Sequence, residues 1–162
     1  MPNSLSDKLR TGATVATVLA GAVVLLYRPL LEGYPVERAR QLESLAAPRD
    51  IGREIVKRSE ESGSLPTDFS SSADVAKACG NTHFGGKPIS SLLRTLNPNS
   101  GVFVPNQALA GVPISSIKDP DSAVLMYETE VWPNGRRLIV TAAGNGRAVD
   151  KDKFSLNVEL QN

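Results

Sequence analysis

The sequence predicts an α+β protein in which a long N-terminal helix, a membrane span continuing into an amphipathic helix, packs on a small antiparallel β-sheet. Three features carry that expectation. Residues 11–27, TGATVATVLAGAVVLLY, contain no charged side chain. Residues 36–62 repeat apolar side chains at helical spacing among Arg, Glu and Lys. From Ala123 onward, short β-branched runs are separated by Gly, Asn and Pro, the pattern of a β-meander.

The opening run is too apolar to be a surface helix. Ala13, Val15, Val18, Leu19, Val23 and Leu26 go all the way round a helical wheel, so no polar face remains for water. Thr11, Thr14 and Thr17 interrupt it, and their hydroxyls can bond back to carbonyls one turn earlier. Residues 11–27 as helix would span roughly 25 Å. With Arg28 snorkelling to the headgroups, the span extends through Leu31 to roughly 31 Å, which matches a hydrocarbon core of about 30 Å. A secretory signal peptide is the competing reading, because Lys8 and Arg10 form an n-region and Ala20-Gly21-Ala22 a small-residue cleavage pattern. That pattern lies inside the apolar run rather than after it, so the uncleaved anchor is preferred. Lys8 and Arg10 precede the span and Arg28 follows it, which places the N-terminus in the cytoplasm. The expected divisions are a cytoplasmic tail at 1–10, a transmembrane helix at 11–31, an amphipathic helix at 32–65 and a small α+β domain at 66–162.

In the amphipathic segment Leu42, Leu45 and Ala46, then Ile51, Ile55 and Val56, recur every three to four residues. Pro48, lacking an N–H, is expected to kink or restart the helix, and Gly63 with Pro66 to stop it. Ser72 is expected to cap a short helix that runs through Ala78 and is closed by Gly80. Leu92, Leu93 and Leu96 lead to the turn Asn97-Pro98-Asn99-Ser100-Gly101, and residues 102–104 form a short strand. The meander comes next, with strands at 123–127, 138–141 and 147–149. Its turns are Trp132-Pro133-Asn134-Gly135 and Gly144-Asn145-Gly146, the second a two-residue type I′ hairpin centred on Asn145-Gly146. Phe154, Leu156, Val158 and Leu160 alternate strictly, predicting a fourth strand over 154–160.

Composition narrows the function. Net charge is +1 in 162 residues, with no Lys/Arg cluster and no RNA-reading motif, which argues against nucleic-acid binding. One Cys, Cys79, and one His, His83, cannot supply an internal disulfide or a tetrahedral zinc site without carboxylates. No phosphate-binding loop, Ser-x-x-Lys or paired-carboxylate signature is present, so no enzyme activity, cofactor or small-molecule substrate is assigned.

The apolar span with its late Pro29, running into RARQLESLAAPRDIGREIVKRSEESGSLPTD, resembles the N-terminal region of type IV pilin-like proteins and prokaryotic pseudopilins. The stretches NQALAGVPISSIKDPDSAVLMYETE and LIVTAAGNGRAVDKDKF are similar to the C-terminal region of pseudopilin-like proteins that carry a His-x9-Asp-Gly motif. The resemblance implies a membrane-anchored structural or assembly protein. It would be a minor pseudopilin of a type II secretion-like apparatus or a stand-alone descendant, held in the cytoplasmic membrane by residues 11–31 with its C-terminal domain outside. Its implied partners are membrane lipid and other pilin-like subunits. The alternative is an exported soluble binding protein whose signal peptide is removed. The motif is degenerate here. Gly12 stands where the processing Gly would be, but Ala13 follows it and Thr17 replaces the expected Glu. Asn145-Gly146 replaces Asp-Gly, and Gly135 stands where the His would be.

Two groupings of chemically capable residues remain. Cys79 and His83 lie four apart, the spacing that would bring a thiolate and an imidazole together on a helix. Gly80 and Asn81 end that helix too early and no orienting third residue is evident, so a packed Cys and a loop His are expected. Asp119, Asp121, Glu128 and Glu130 are the oxygen ligands a calcium site would draw on. Calcium needs six or more converging oxygens, and these carboxylates are read as solvated surface charge.

Overall fold

The computed structural model describes residues 36–161. The apolar run, Gly12 and the small-residue pattern at Ala20-Gly21-Ala22 lie outside the described residues. Among the described residues no helix is long and apolar enough to cross a membrane. The chain divides into two units, Met1–Ala39 and Arg40–Asn162. Of the first, only the opening residues of the long helix are described, and the packed elements belong to the second.

Helix α1 occupies residues 36–62. Within the second unit its buried stripe runs through Gln41, Ser44, Leu45, Pro48, Ile51, Gly52, Ile55 and Ser59, the three-to-four spacing of one helical face. Pro48 lies in that stripe, and the helix continues through it without the restart expected from its missing N–H. Tertiary packing of the stripe outweighs the local penalty. Gly63, at φ +89°, ends the helix in the left-handed conformation that Gly adopts without strain.

Helix α2, Ser72–Ala78, is capped by Ser71 rather than Ser72. Ser71 Oγ accepts from the Asp74 N–H, and the Asp74 carboxylate accepts from the Ser71 N–H at 2.9 Å, a reciprocal capping box. The Ser71 hydroxyl, followed by the Ser70 N–H and Lys77, holds the Asp74 carboxyl well below the usual carboxylate range. Gly80, at φ +62°, closes the helix as expected. Strands β1 (His83–Phe84) and β2 (Lys87–Pro88) then form a small hairpin, and helix α3 takes Ile89–Leu92. The two-residue turn between β1 and β2 is Gly85-Gly86, with φ of +57° and +79°. This is where the chain uses the left-handed pair typical of a type I′ hairpin.

The main sheet is a four-stranded antiparallel meander in sequence order: β3 (Phe103–Pro105), β4 (Val124–Glu128), β5 (Arg136–Thr141) and β6 (Gly146–Asp150). Register puts Met126, Val140 and Gly146 side by side across three strands, and Tyr127, Ile139 and Arg147 beside them on the opposite face. The first face receives α1. A Cβ built on Gly52 would stand 2.6 Å from Val140 Cγ1, so the helix approaches the sheet at a distance only Gly permits. Cβ atoms on Gly146 and Gly144 would likewise press on Leu45 and Arg53. Arg53 Nε donates to the Gly144 carbonyl at 3.2 Å, tying α1 to the β5–β6 loop.

The β5–β6 turn differs from the two-residue hairpin expected at Asn145-Gly146. Thr141 N–H donates to Asn145 O and Gly144 N–H to Thr141 O, both at 2.9 Å, and the positive φ, +75°, is at Gly144. This is a three-residue connection, a tight turn followed by a left-handed glycine bulge. The β4–β5 turn has the same construction. Trp132 N–H donates to Arg136 O, Gly135 N–H donates to Trp132 O, and Gly135 has φ +77°. The alternation over 154–160 is real, but it does not make a fourth strand of the meander. A short 3-10 turn at Lys151–Lys153 throws the chain off the β6 edge. The tail then crosses the sheet face opposite α1, with Phe154, Leu156 and Val158 half-buried between exposed neighbours. Among the described residues its one ladder contact is the bridge between Ile117 and Leu160.

The two meander turns form a matched pair for experiment. A Cβ on Gly135 meets nothing within 4 Å, whereas a Cβ on Gly144 meets Arg53 Cγ at 2.6 Å. Gly135→Ala should therefore cost only the left-handed strain, about 1–2 kcal/mol. Gly144→Ala should cost that plus the displacement of Arg53. Urea melts of the two variants measure the difference, and equal midpoints would mean the Arg53 contact carries no energy.

Candidate functional site

The structure separates Cys79 from His83. Cys79 caps the C-terminus of α2 and is buried, while His83 lies exposed on β1 with Nδ1 3.0 Å from Thr82 Oγ1. Burial, reinforced by the Glu54 charge and opposed by Arg58, pushes the Cys79 thiol up to about 11. A thiol so placed is neutral at physiological pH and is not an activated nucleophile.

The four carboxylates do not converge either. Asp119 and Asp121 precede β4, whereas Glu128 ends it and Glu130 lies beyond, so a five-residue strand of about 17 Å stands between the pairs. Asp119 Oδ1 accepts from the Asp121 and Ser122 N–H groups, and the Ser122 interaction is the main reason its carboxyl is held below the ordinary range. Asp121 accepts from Asn145 Nδ2 at 2.8 Å. Among the described residues no group of three or more His, Cys, Asp or Glu is placed to hold a metal.

Glu128 corrects the expectation of surface charge outright. Its position on β4 puts it on the same face as Met126, toward the core, and it is fully buried. Oε1 accepts from Thr95 Oγ1 at 2.5 Å and from Asn97 Nδ2 at 3.0 Å, and Oε2 accepts from the indole N–H of Trp132 at 2.6 Å. Gly101 is packed against the same carboxyl so tightly that a Cβ there would overlap it. Among the described residues Glu128 has no ion pair, and neutral donors satisfy it throughout. The group fastens the 95–101 loop to the β4–β5 hairpin. A buried carboxyl stripped of these donors would cost several kcal/mol, which makes this network structural.

The site with room for a ligand lies on the other face of the sheet. Phe154 packs against Tyr127 with ring planes tilted by 51° and centroids 5.4 Å apart, and the Arg137 guanidinium lies 4.6 Å from the Phe154 centroid. Buried Asn106 donates its side-chain amide to Val124 O at 2.9 Å and to Leu156 O at 3.2 Å, binding the tail to β4. Further along, Lys118 N–H donates to Glu159 O and Gln161 N–H to Ser116 O. The tail is therefore fastened at both ends and in the middle. Between it and the sheet is a cleft of about 530 Å³. Ile139 and Val149 from the sheet and Phe154 and Val158 from the tail give it apolar walls, and Lys118, Asp119, Arg147, Lys153 and Glu159 ring it with charge. Sequence reasoning did not find this cleft. Its one trace in the sequence was the alternation over 154–160, which shows that one side of the tail is buried but not on what.

Alkylation tests the account of Cys79. With the thiol at about 11 rather than an ordinary value near 8.5, the thiolate fraction at pH 8 falls by roughly a hundredfold. Iodoacetamide should label the native chain at least that much more slowly than the urea-unfolded chain, and comparable rates would refute the burial. The linked stability is fully present below the unfolded thiol's range and is lost as pH rises through the folded value, so the parent's margin over Cys79→Ala should be constant below that alkaline window and shrink within it. No family model matches the chain, and neither a curated protein nor a solved structure matches it.

Proposed function

We propose that this chain is a pilin-like, single-pass membrane protein whose α+β unit stands outside the cytoplasm. Its role is structural or assembly-related, as a minor pseudopilin of a secretion-type apparatus or a stand-alone descendant of one. The observation that carries the reading is the packing of a long amphipathic helix on a sequentially ordered antiparallel meander, which is what the sequence resemblance implies. In the sequence that helix comes shortly after the apolar residues 11–31, which are assigned to membrane lipid. Other pilin-like subunits are the protein partners the reading names. It assigns no catalysis; among the described residues the thiol is buried and the four carboxylates are dispersed.

A second reading is favoured by one specific observation, the cleft under the tail. An exported soluble binding protein, released by signal-peptide cleavage, would use such a cleft as its reason to exist.

Intact mass of the chain extracted from membranes separates the two. The anchored reading predicts a start at Met1 or Pro2, or just after Gly12 if pilin-type processing occurs. A start near Val23 overturns the anchor and leaves the exported binding protein. Independently, Val18→Asp places a charge near mid-span at a cost of roughly 2.5–3.5 kcal/mol for insertion. The variant should lose carbonate-resistant membrane association, and full retention would show that residues 11–31 are not what holds the protein there.

A further inference from the structure

We propose that the cleft between the C-terminal tail and the β4–β5–β6 face binds a small amphipathic monoanion. Its carboxylate would be held by Arg147, and its apolar body would lie against Ile139, Val149, Phe154 and Val158. The inference goes beyond the pilin-like reading and does not rest on it.

Three observations carry it. The cleft, at about 530 Å³, falls within the range of small-molecule sites, and its lining is mixed, an apolar patch of Val124, Ile139, Val149, Phe154 and Val158 beside polar and charged side chains. The rim charges are mostly spoken for. Lys118 Nζ pairs with Glu159 at 3.1 Å, Lys153 with Asp150 at 3.7 Å, and Asp119 accepts two backbone N–H bonds. Arg147 is different: among the described residues no hydrogen bond or ion pair holds its guanidinium, which lines the cleft and feels only the longer-range charge of Asp119. A planar guanidinium left free beside an apolar wall presents two parallel donors in the geometry a carboxylate accepts.

The same rim limits the ligand's charge. Asp119 lies within reach of the Arg147 field and stays ionised at neutral pH. A second negative charge on the ligand would meet that carboxylate, whereas a single carboxylate takes the guanidinium donors that Asp119 leaves unused. The ends of the tail are pinned by Phe154 and by the Lys118–Glu159 backbone bond, so the cleft keeps its width without a ligand. A preformed site of this kind spares the ligand the cost of ordering the protein.

The test is calorimetric titration of the full chain, held in a non-ionic detergent, with 4-phenylbutyrate, using empty micelles as the blank and 4-phenylbutanol as the neutral analogue. The expected result is saturable one-to-one binding with a submillimolar Kd. Both the alcohol and the Arg147→Gln variant should bind at least tenfold more weakly, and Arg147→Lys should fall between variant and parent. Arg147 is exposed, so its replacement leaves the fold intact, and a circular-dichroism melt matching the parent verifies that. Absence of saturation by about 10 mM overturns the proposal, since binding that weak is nonspecific. So does equal affinity for acid and alcohol, or unchanged affinity in Arg147→Gln, because either would mean the guanidinium holds nothing.

Discussion

The fold depends on how closely α1 lies on the sheet at Gly52. Val140 Cγ1 occupies the space where any other residue would carry its Cβ, and Met126 and Leu125 close in beside it. Gly in a helix interior costs about 1 kcal/mol relative to Ala, so its presence in the middle of a 36–62 helix needs a compensating gain. That gain is the contact. Leu45 and Arg49 against Gly146, Gly52 against Val140 and Arg53 against Gly144 place successive helical turns on the β5–β6 hairpin. The glycines at 144 and 146 serve the same approach from the sheet side.

Committing one face of the meander to α1 fixes what the other face must do. Tyr127, Ile139 and Arg137 would otherwise be open to water over a broad, partly apolar surface. The chain covers that surface with its own C-terminal tail, using an aromatic and cationic cluster at Phe154 and the paired hydrogen bonds of Asn106. A single extended segment is too narrow to fill the space above three strands, and the cleft is what remains. At the end of the sheet where the tail starts, the α1 face is closed differently, by the buried Glu128 carboxyl and its three donors. One face is thus given to stability and the other retains room for a ligand.

Much of the architecture was legible in the sequence. The Leu45, Ile51 and Ile55 part of the α1 stripe, α2 with its closing Gly80, the meander strands and the Trp132–Gly135 turn follow from periodicity and turn chemistry. Leu42 and Ala46 of the expected stripe are instead exposed, and Gln41, Ser44 and Ser59 are buried in their place. What was misread shares a cause: local signals were overruled by packing that only the folded chain supplies. Pro48 does not restart the helix, because it sits in the stripe that the sheet holds. Asn145-Gly146 has the composition of a type I′ turn, yet Gly144 takes the left-handed position because Arg53 reaches its carbonyl, while the real type I′ pair is Gly85-Gly86. The tail alternates like a strand but lies across a face instead of joining an edge. Glu128 looked like surface charge because a carboxylate in a strand usually is, and its three partners come from positions 31 to 33 residues earlier and four residues later. The cleft was invisible for a related reason, since its walls come from three strands and a tail that no short-range pattern brings together.

The central claim, that a Cβ-free contact between α1 and β5 organises the fold, is tested most directly by a double-mutant cycle at Gly52 and Val140. By helix propensity alone Gly52→Ala should stabilise the chain by about 1 kcal/mol. By the contact it should destabilise it, because Val140 Cγ1 would have to move from a packed position, at a typical cost of about 1–3 kcal/mol. The account predicts a net loss in chemical denaturation for Gly52→Ala. In the Val140→Ala background, where the obstructing methyl is gone, that loss should shrink or reverse, giving a coupling energy above about 0.5 kcal/mol. A Gly52→Ala chain as stable as the parent or more so, with the same increment in both backgrounds, would contradict it.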